Sequence, residues 1–199
     1  MAEAPEIKYL IDDILAGNTN GYQTFIEHYQ RLVCHIVFRM VANKSDREDL
    51  CQEVFIKAYQ NLASFQFKSK VSTWLATIAY NSCINHLSKR KVLLFDDLVT
   101  DEKSLDGFTA DHISPYDYTA DGDIFSRLQK EIEKLPIQYR TILTLYHLDE
   151  MSYAEIGEIM RLPEGTVKSY LFRARQYLRK IMELELAGVQ RMAGEGERR

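Results

Sequence analysis

The sequence predicts an all-α protein: two small helical domains joined by an acidic flexible linker, the C-terminal one a helix-turn-helix. Three observations predict it. Apolar residues recur at helical spacing through two separate stretches. Nine glycines and four prolines in 199 residues leave few places where a helix must break. The charge, −4 overall, is divided by segment: residues 20–91 carry 10 basic and 5 acidic side chains, 92–123 carry 1 and 9, and 124–183 carry 10 and 8. Two basic pieces around an acidic connector give domains over 10–91 and 123–183, a linker over 92–122 and a polar tail over 184–199.

Other classes find little support. No run approaches the roughly 18 apolar residues a membrane span needs, and residues 1–6 lack the basic-then-apolar order of a signal peptide, so the expectation is a cytoplasmic protein with no membrane insertion. Cys34, Cys51 and Cys83 form no CxxC pair, which argues for reduced thiols and against a structural zinc. Five scattered histidines make no HExxH, and no glycine pattern fits a phosphate cradle. An enzyme, a metal site and a cofactor are therefore not expected.

In the first domain, Phe25, Tyr29, Leu32, Val33, Ile36, Val37 and Met40 mark one amphipathic helix, and Leu50, Val54, Phe55, Ala58 and Leu62 a second. Ser45 or Asp46 is the expected N-cap of the second helix, whose outer face carries Asp49, Gln52, Glu53 and Lys57. A loop over 64–71 leads into a third helix with Ser72 as expected cap. On it Trp74, Leu75, Ile78, Ala79, Ser82, Cys83 and Leu87 follow the core period, while Thr77, Tyr80, Asn81, Ile84, Asn85 and Ser88 fall on other faces. Aromatics and asparagines beside Lys68, Lys70 and 89–91 suit single-stranded nucleic acid, since bases stack on rings, amides reach base edges and lysines hold phosphates. Phe65, Phe67 and Trp74, taken singly, fit a core better than a stacking surface.

The second domain opens with a short helix over 124–135 and another after Pro136, which the first turn of a helix tolerates. Ser152-Tyr-Ala-Glu155 reads as a capping box for a helix to about Met160, followed by a tight connection into a basic helix from about Glu164 to Met182. This is helix-turn-helix order. Ala154, Ile156, Ile159, Leu162, Val167 and Leu171 are expected inside, with Lys168, Ser169, Phe172, Arg173, Arg175 and Gln176 facing out, a set able to enter a major groove.

Asp49-Leu-Cys-Gln-Glu-Val-Phe-Ile-Lys-Ala-Tyr59, Thr73-Trp-Leu75, Ile78-Ala79 with Asn81, Leu135-Pro136, Met151-Ser-Tyr-Ala-Glu-Ile-Gly157, Gly165-Thr-Val-Lys-Ser169 and Arg173-Ala-Arg175 together resemble a bacterial RNA polymerase sigma factor of the extracytoplasmic-function (ECF) group. The resemblance spans about residues 10–182. It implies a subunit without catalysis of its own that directs transcription initiation at chosen promoters. Asp49, Gln52, Glu53 and Phe55 would then dock on the polymerase β′ clamp helices, and the β flap would be a second contact of the chain with the polymerase. Phe65, Lys68, Lys70, Trp74, Asn81 and Asn85 would read and open the minus-ten element, and Lys168, Ser169, Tyr170, Phe172, Arg173 and Arg175 would read the minus-thirty-five element. The acidic linker would thread the polymerase near the RNA path, and an anti-sigma factor would be a regulatory partner. Val71, Ala76-Thr77, Ile84 and Tyr170 depart from the family's common residues. The alternative is a stand-alone helix-turn-helix regulator that binds duplex DNA without polymerase.

Overall fold

The computed structural model describes residues 5–89 and 124–196, which form eight α-helices and no strand. The linker predicted over 92–122 lies outside the described residues. Among them, no helix is long and apolar enough to cross a membrane.

Helix α1 (Pro5–Leu15) ends at Gly17, whose φ of 102° a side chain would resist, and Asn18 then caps α2 (Thr19–Met40) by accepting from the Asn20 N–H. Every apolar position of the predicted α2 stripe is buried. Helix α3 (Lys44–Asn61) starts two or three residues earlier than expected: Asn43, not Ser45 or Asp46, is its cap, accepting from the Asp46 N–H at 3.2 Å. A 3₁₀ turn (Leu62–Ser64) delivers the loop into α4, which runs Val71–Lys89 and so takes Ser72 into its first turn. Helices α2, α3 and α4 pack on one another around Phe25, Val33, Ile36, Leu50, Val54, Leu75 and Cys83. Each such fully buried large side chain contributes about 1.5–3 kcal/mol.

Helices α5 (Ile124–Lys134), α6 (Ile137–His147), α7 (Tyr153–Met160) and α8 (Glu164–Gly196) form the second unit. Pro136 occupies the cap position of α6, where its missing N–H costs no helical bond. The Ser152/Glu155 capping box of α7 is complete in both directions. Arg161 closes α7 in the left-handed region (φ 56°), and the Leu162 N–H returns to the Gly157 carbonyl at 2.9 Å. Ile156, Ile159, Val167 and Leu171 are buried and Leu162 half-buried, as the pattern required, but Ala154 is exposed. It lies on the outer face of α7 with Glu158, four residues on. Helix α8 continues well past the expected end near Met182.

The units touch: α6 packs on α2 and α7 on α4. Among the described residues, two polar side-chain contacts cross the junction, His35 Nδ1 with Asp149 Oδ1 at 2.8 Å and the ion pair of Lys70 Nζ with Glu155 Oε1 at 2.7 Å. Burial pushes the Asp149 carboxyl up, and His35 opposes that by hydrogen bonding to the charged form.

Candidate polymerase and nucleic-acid interfaces

Three surfaces carry the residues singled out by sequence. On α3, Asp49, Gln52 and Glu53 are exposed, whereas Phe55 is only 8% exposed and belongs to the core. Its carbonyl accepts from the Tyr22 hydroxyl. The exposed apolar neighbour is Ile56, 57% exposed, placed three residues from Glu53, four from Gln52 and seven from Asp49. That spacing puts all four on one face. Phe55 stands three residues from Gln52, at the edge where this face meets the core, and it is turned inward beside Val54. Tyr59, 52% exposed, extends the same face and meets Tyr22 edge-on at 4.8 Å. Glu53 pairs with Lys57, which also donates to Ser82 Oγ at 3.0 Å and so ties α3 to α4.

The second surface is the loop before α4 and that helix's flank. Phe65 lies 4.9 Å from Trp74 and 4.7 Å from Phe67, centroid to centroid, so the three rings make one cluster, half-buried on Phe65 and Trp74 and exposed on Phe67. Phe67 has φ 54°, a conformation that costs about 1–2 kcal/mol without glycine and turns the chain sharply beside the cluster. Lys68 is exposed, while Lys70 is half-buried and engaged by Glu155. Asn85 is exposed and Asn81 half-buried. Tyr80, expected on an outer face, is 4% exposed, and burial first, then Cys83, push its hydroxyl up.

On α8, Lys168, Ser169, Phe172, Arg175 and Gln176 are exposed and Arg173 is half-buried. Phe172 is 61% exposed, an unusual position for a phenyl ring without a partner. Tyr170 is half-buried instead, its ring 4.9 Å from that of Tyr139, so it packs α8 on α6. An apolar cavity of about 370 Å³ opens between α5, α6 and α8, lined by Leu128, Ile132, Leu143, Leu148 and Leu178, with Arg39 of α2 and Arg175 also lining it.

Sequence gave no hint that Cys34 and Cys51 meet, yet their sulfurs are 3.8 Å apart. Burial first, then Cys34, push the Cys51 thiol up to about 12, so it carries almost no thiolate at neutral pH, the reverse of an activated nucleophile. Among the described residues, no group of three His, Cys, Asp or Glu side chains could hold a metal ion.

Comparison with known proteins joins these surfaces. Residues 25–92 match the family described as Sigma-70 region 2, and residues 125–178 match Sigma-70, region 4. The ECF RNA polymerase sigma factor SigW of Bacillus subtilis (strain 168) is 36% identical over 180 residues, covering 87% of this chain and 95% of that protein. The ECF RNA polymerase sigma-E factor of Escherichia coli (strain K12) is 34% identical over 180 residues, covering 88% and 94%. Among solved structures, CnrH in complex with the cytosolic domain of CnrY shares the fold with a TM-score of 0.61 at 15% identity, over 88% of this chain and 96% of that one. The sigma factor RpoE, in complex with the anti-sigma factor NepR from Bartonella quintana, gives 0.58 at 22% identity, over 81% and 98%.

Proposed function

The chain belongs to the extracytoplasmic-function group of RNA polymerase sigma factors, and from that premise we propose how its surfaces divide the work of promoter-specific initiation. The face of Asp49, Gln52, Glu53 and Ile56 docks on the β′ clamp helices: carboxylates and an amide ring an exposed aliphatic side chain, the make-up of an interface core with a polar rim. The apolar cavity between α5, α6 and α8 takes an apolar segment of the β flap.

The Phe65–Phe67–Trp74 cluster and the flank of α4 with Asn81 and Asn85 capture the opened strand of the minus-ten element. Base faces and edges become available only once pairs are broken, and holding an extruded base offsets the unpairing cost of a few kcal/mol. Helix α8 reads the minus-thirty-five duplex with Ser169, Phe172 and Arg173, aided by Lys168 and Arg175. The acidic segment 92–122 lies in a basic channel of the polymerase, and an anti-sigma factor masks the exposed faces until a signal releases them. The protein performs no covalent chemistry and works in the cytoplasm beside its polymerase.

The observation that carries this reading is the presence, on one chain, of a half-exposed aromatic cluster with flanking lysines and a helix-turn-helix whose second helix exposes Ser169 and Phe172. Run-off transcription by core polymerase with and without the protein, on a library of random promoters, tests it. Enrichment of two separated elements supports the division, and enrichment of one duplex element without initiation contradicts it.

A further inference from the structure

One flank of α8 carries an arrangement that the recognition surface does not explain. Lys168 and Arg175 stand seven residues apart, hence on the same side of the helix and about 10 Å apart along its axis. Each lies over a tyrosine. The Lys168 ammonium is 5.4 Å from the Tyr153 ring centre, and the Arg175 guanidinium is 4.9 Å from that of Tyr146. The two rings are themselves stacked, 5.2 Å apart and 13° from parallel. Three helices thus contribute to one ladder: Tyr146 from α6, Tyr153 from α7 and both cations from α8.

Arg175 is oriented further by His147, whose Nε2 accepts from Nε at 3.1 Å and lies 3.0 Å from Nη2. Burial first, then the guanidinium itself, lower the His147 pKa and keep the ring in its neutral accepting form. A guanidinium held flat on a ring and anchored along one edge still offers its outer N–H groups. Lys168 also meets Glu164 at 3.4 Å, but both side chains are more than half exposed, and such a pair yields readily to a stronger anion. Ser169 and Arg173 project from the neighbouring face, 100° or more from the middle of this flank by helical geometry, whereas Phe172 lies between the two cations, about 50° from it.

We propose that Tyr146 and Tyr153 form a shelf that presents Lys168 and Arg175 to the phosphodiester backbone of duplex DNA, leaving Ser169 and Arg173 to face the bases. The proposal rests on α8 being the minus-thirty-five helix. It assigns Tyr146, Tyr153 and His147 as positioning residues, and it makes Lys168 and Arg175 blind to sequence. Phosphate contacts fix register without carrying sequence information, and each releases a counterion, so they are recognised by salt dependence. The shelf limits the freedom of two long side chains before DNA arrives, which lowers the ordering cost of contact.

The test uses holoenzyme reconstituted from the full chain and core polymerase. The probes are two fluorescent duplexes, one bearing the minus-thirty-five element recovered from the random-promoter library and one with that element scrambled. Arg175→Ala and Lys168→Ala are each expected to flatten the slope of log affinity against log salt by about 1, equally on both duplexes. Tyr146→Leu keeps every charge but loses the ring, and is expected to weaken both duplexes about 2–5-fold. Tyr146→Phe restores the ring and should bring affinity back to within about 2-fold of wild type. Arg173→Ala should instead narrow the difference between the duplexes. An unchanged slope in Arg175→Ala with discrimination intact overturns the proposal alone, as does a Tyr146→Leu loss confined to the selected duplex in a protein that melts normally. A wild-type holoenzyme that does not distinguish the duplexes overturns the reading of α8 and the shelf with it.

Discussion

Gly157→Ala sets two effects of opposite sign against each other in the helix-turn-helix. Gly157 lies inside α7, where alanine is favoured over glycine by about 1 kcal/mol on helix propensity. A Cβ there would lie 2.7 Å from the Leu162 carbonyl oxygen, whereas unstrained C···O contacts begin near about 3.3 Å. The obstacle is backbone. It is also tethered, because the Leu162 N–H donates to Gly157 and Arg161 holds the left-handed turn between them. Relief therefore means moving the turn by about half an ångström, at an overpacking cost of about 2–3 kcal/mol. The clash outweighs the propensity gain and leaves a net loss of about 1–2 kcal/mol, or about 2–8 °C in Tm for a chain of this size. Circular-dichroism melting reads it, with Gly165→Ala as control, because a Cβ at Gly165 meets nothing within 4 Å. A Gly157→Ala protein that melts as high as Gly165→Ala would refute the reasoning.

Glu155 is pushed up by burial but held down more strongly by Lys70 and Ser152, so that its pKa falls to about 2. Its contribution is thus fully present above about pH 4.5 and is lost as pH falls through about 2. Glu155→Gln should cost about 1–2 kcal/mol at pH 7 after allowance for solvent screening, and progressively less as pH falls through about 2, as urea melts across that range would show. Ile56→Asp should leave stability within about 0.5 kcal/mol, as expected for an exposed position, while lowering core-polymerase affinity about tenfold or more in a fluorescence titration. Arg173→Ala should weaken duplex binding, whereas Asn81→Ala should slow open-complex formation, followed by permanganate footprinting, with duplex docking unchanged. Equal loss of duplex binding in both would remove the division of labour between α8 and α4.

The α2 stripe, the α7 capping box and the exposed row on α8 were legible because each rests on local rules, the 3.6-residue period and side-chain capping. What was not legible depends on what packs from elsewhere. Tyr80 sits off the core stripe of α4, on a helix whose flank receives α7, and it ends up buried. His35 and Asp149 are 114 residues apart, and nothing local to either announces the pair. Tyr170, which the resemblance places at the DNA, is half-buried against the Tyr139 ring, a contact between helices that the local sequence does not announce. Phe55 lies in the core stripe that the period marks, 8% exposed, although the resemblance places it at the polymerase face. Asn43, Ser45 and Asp46 are all good caps, and only the backbone shows which one is used.

If this chain turns core RNA polymerase into a promoter-selective enzyme, run-off transcription with purified core on a random-promoter library will show it. Saturable binding to core, with initiation only at templates carrying two separated elements, is the predicted result. Binding to duplex DNA with no association with core and no initiation would contradict it.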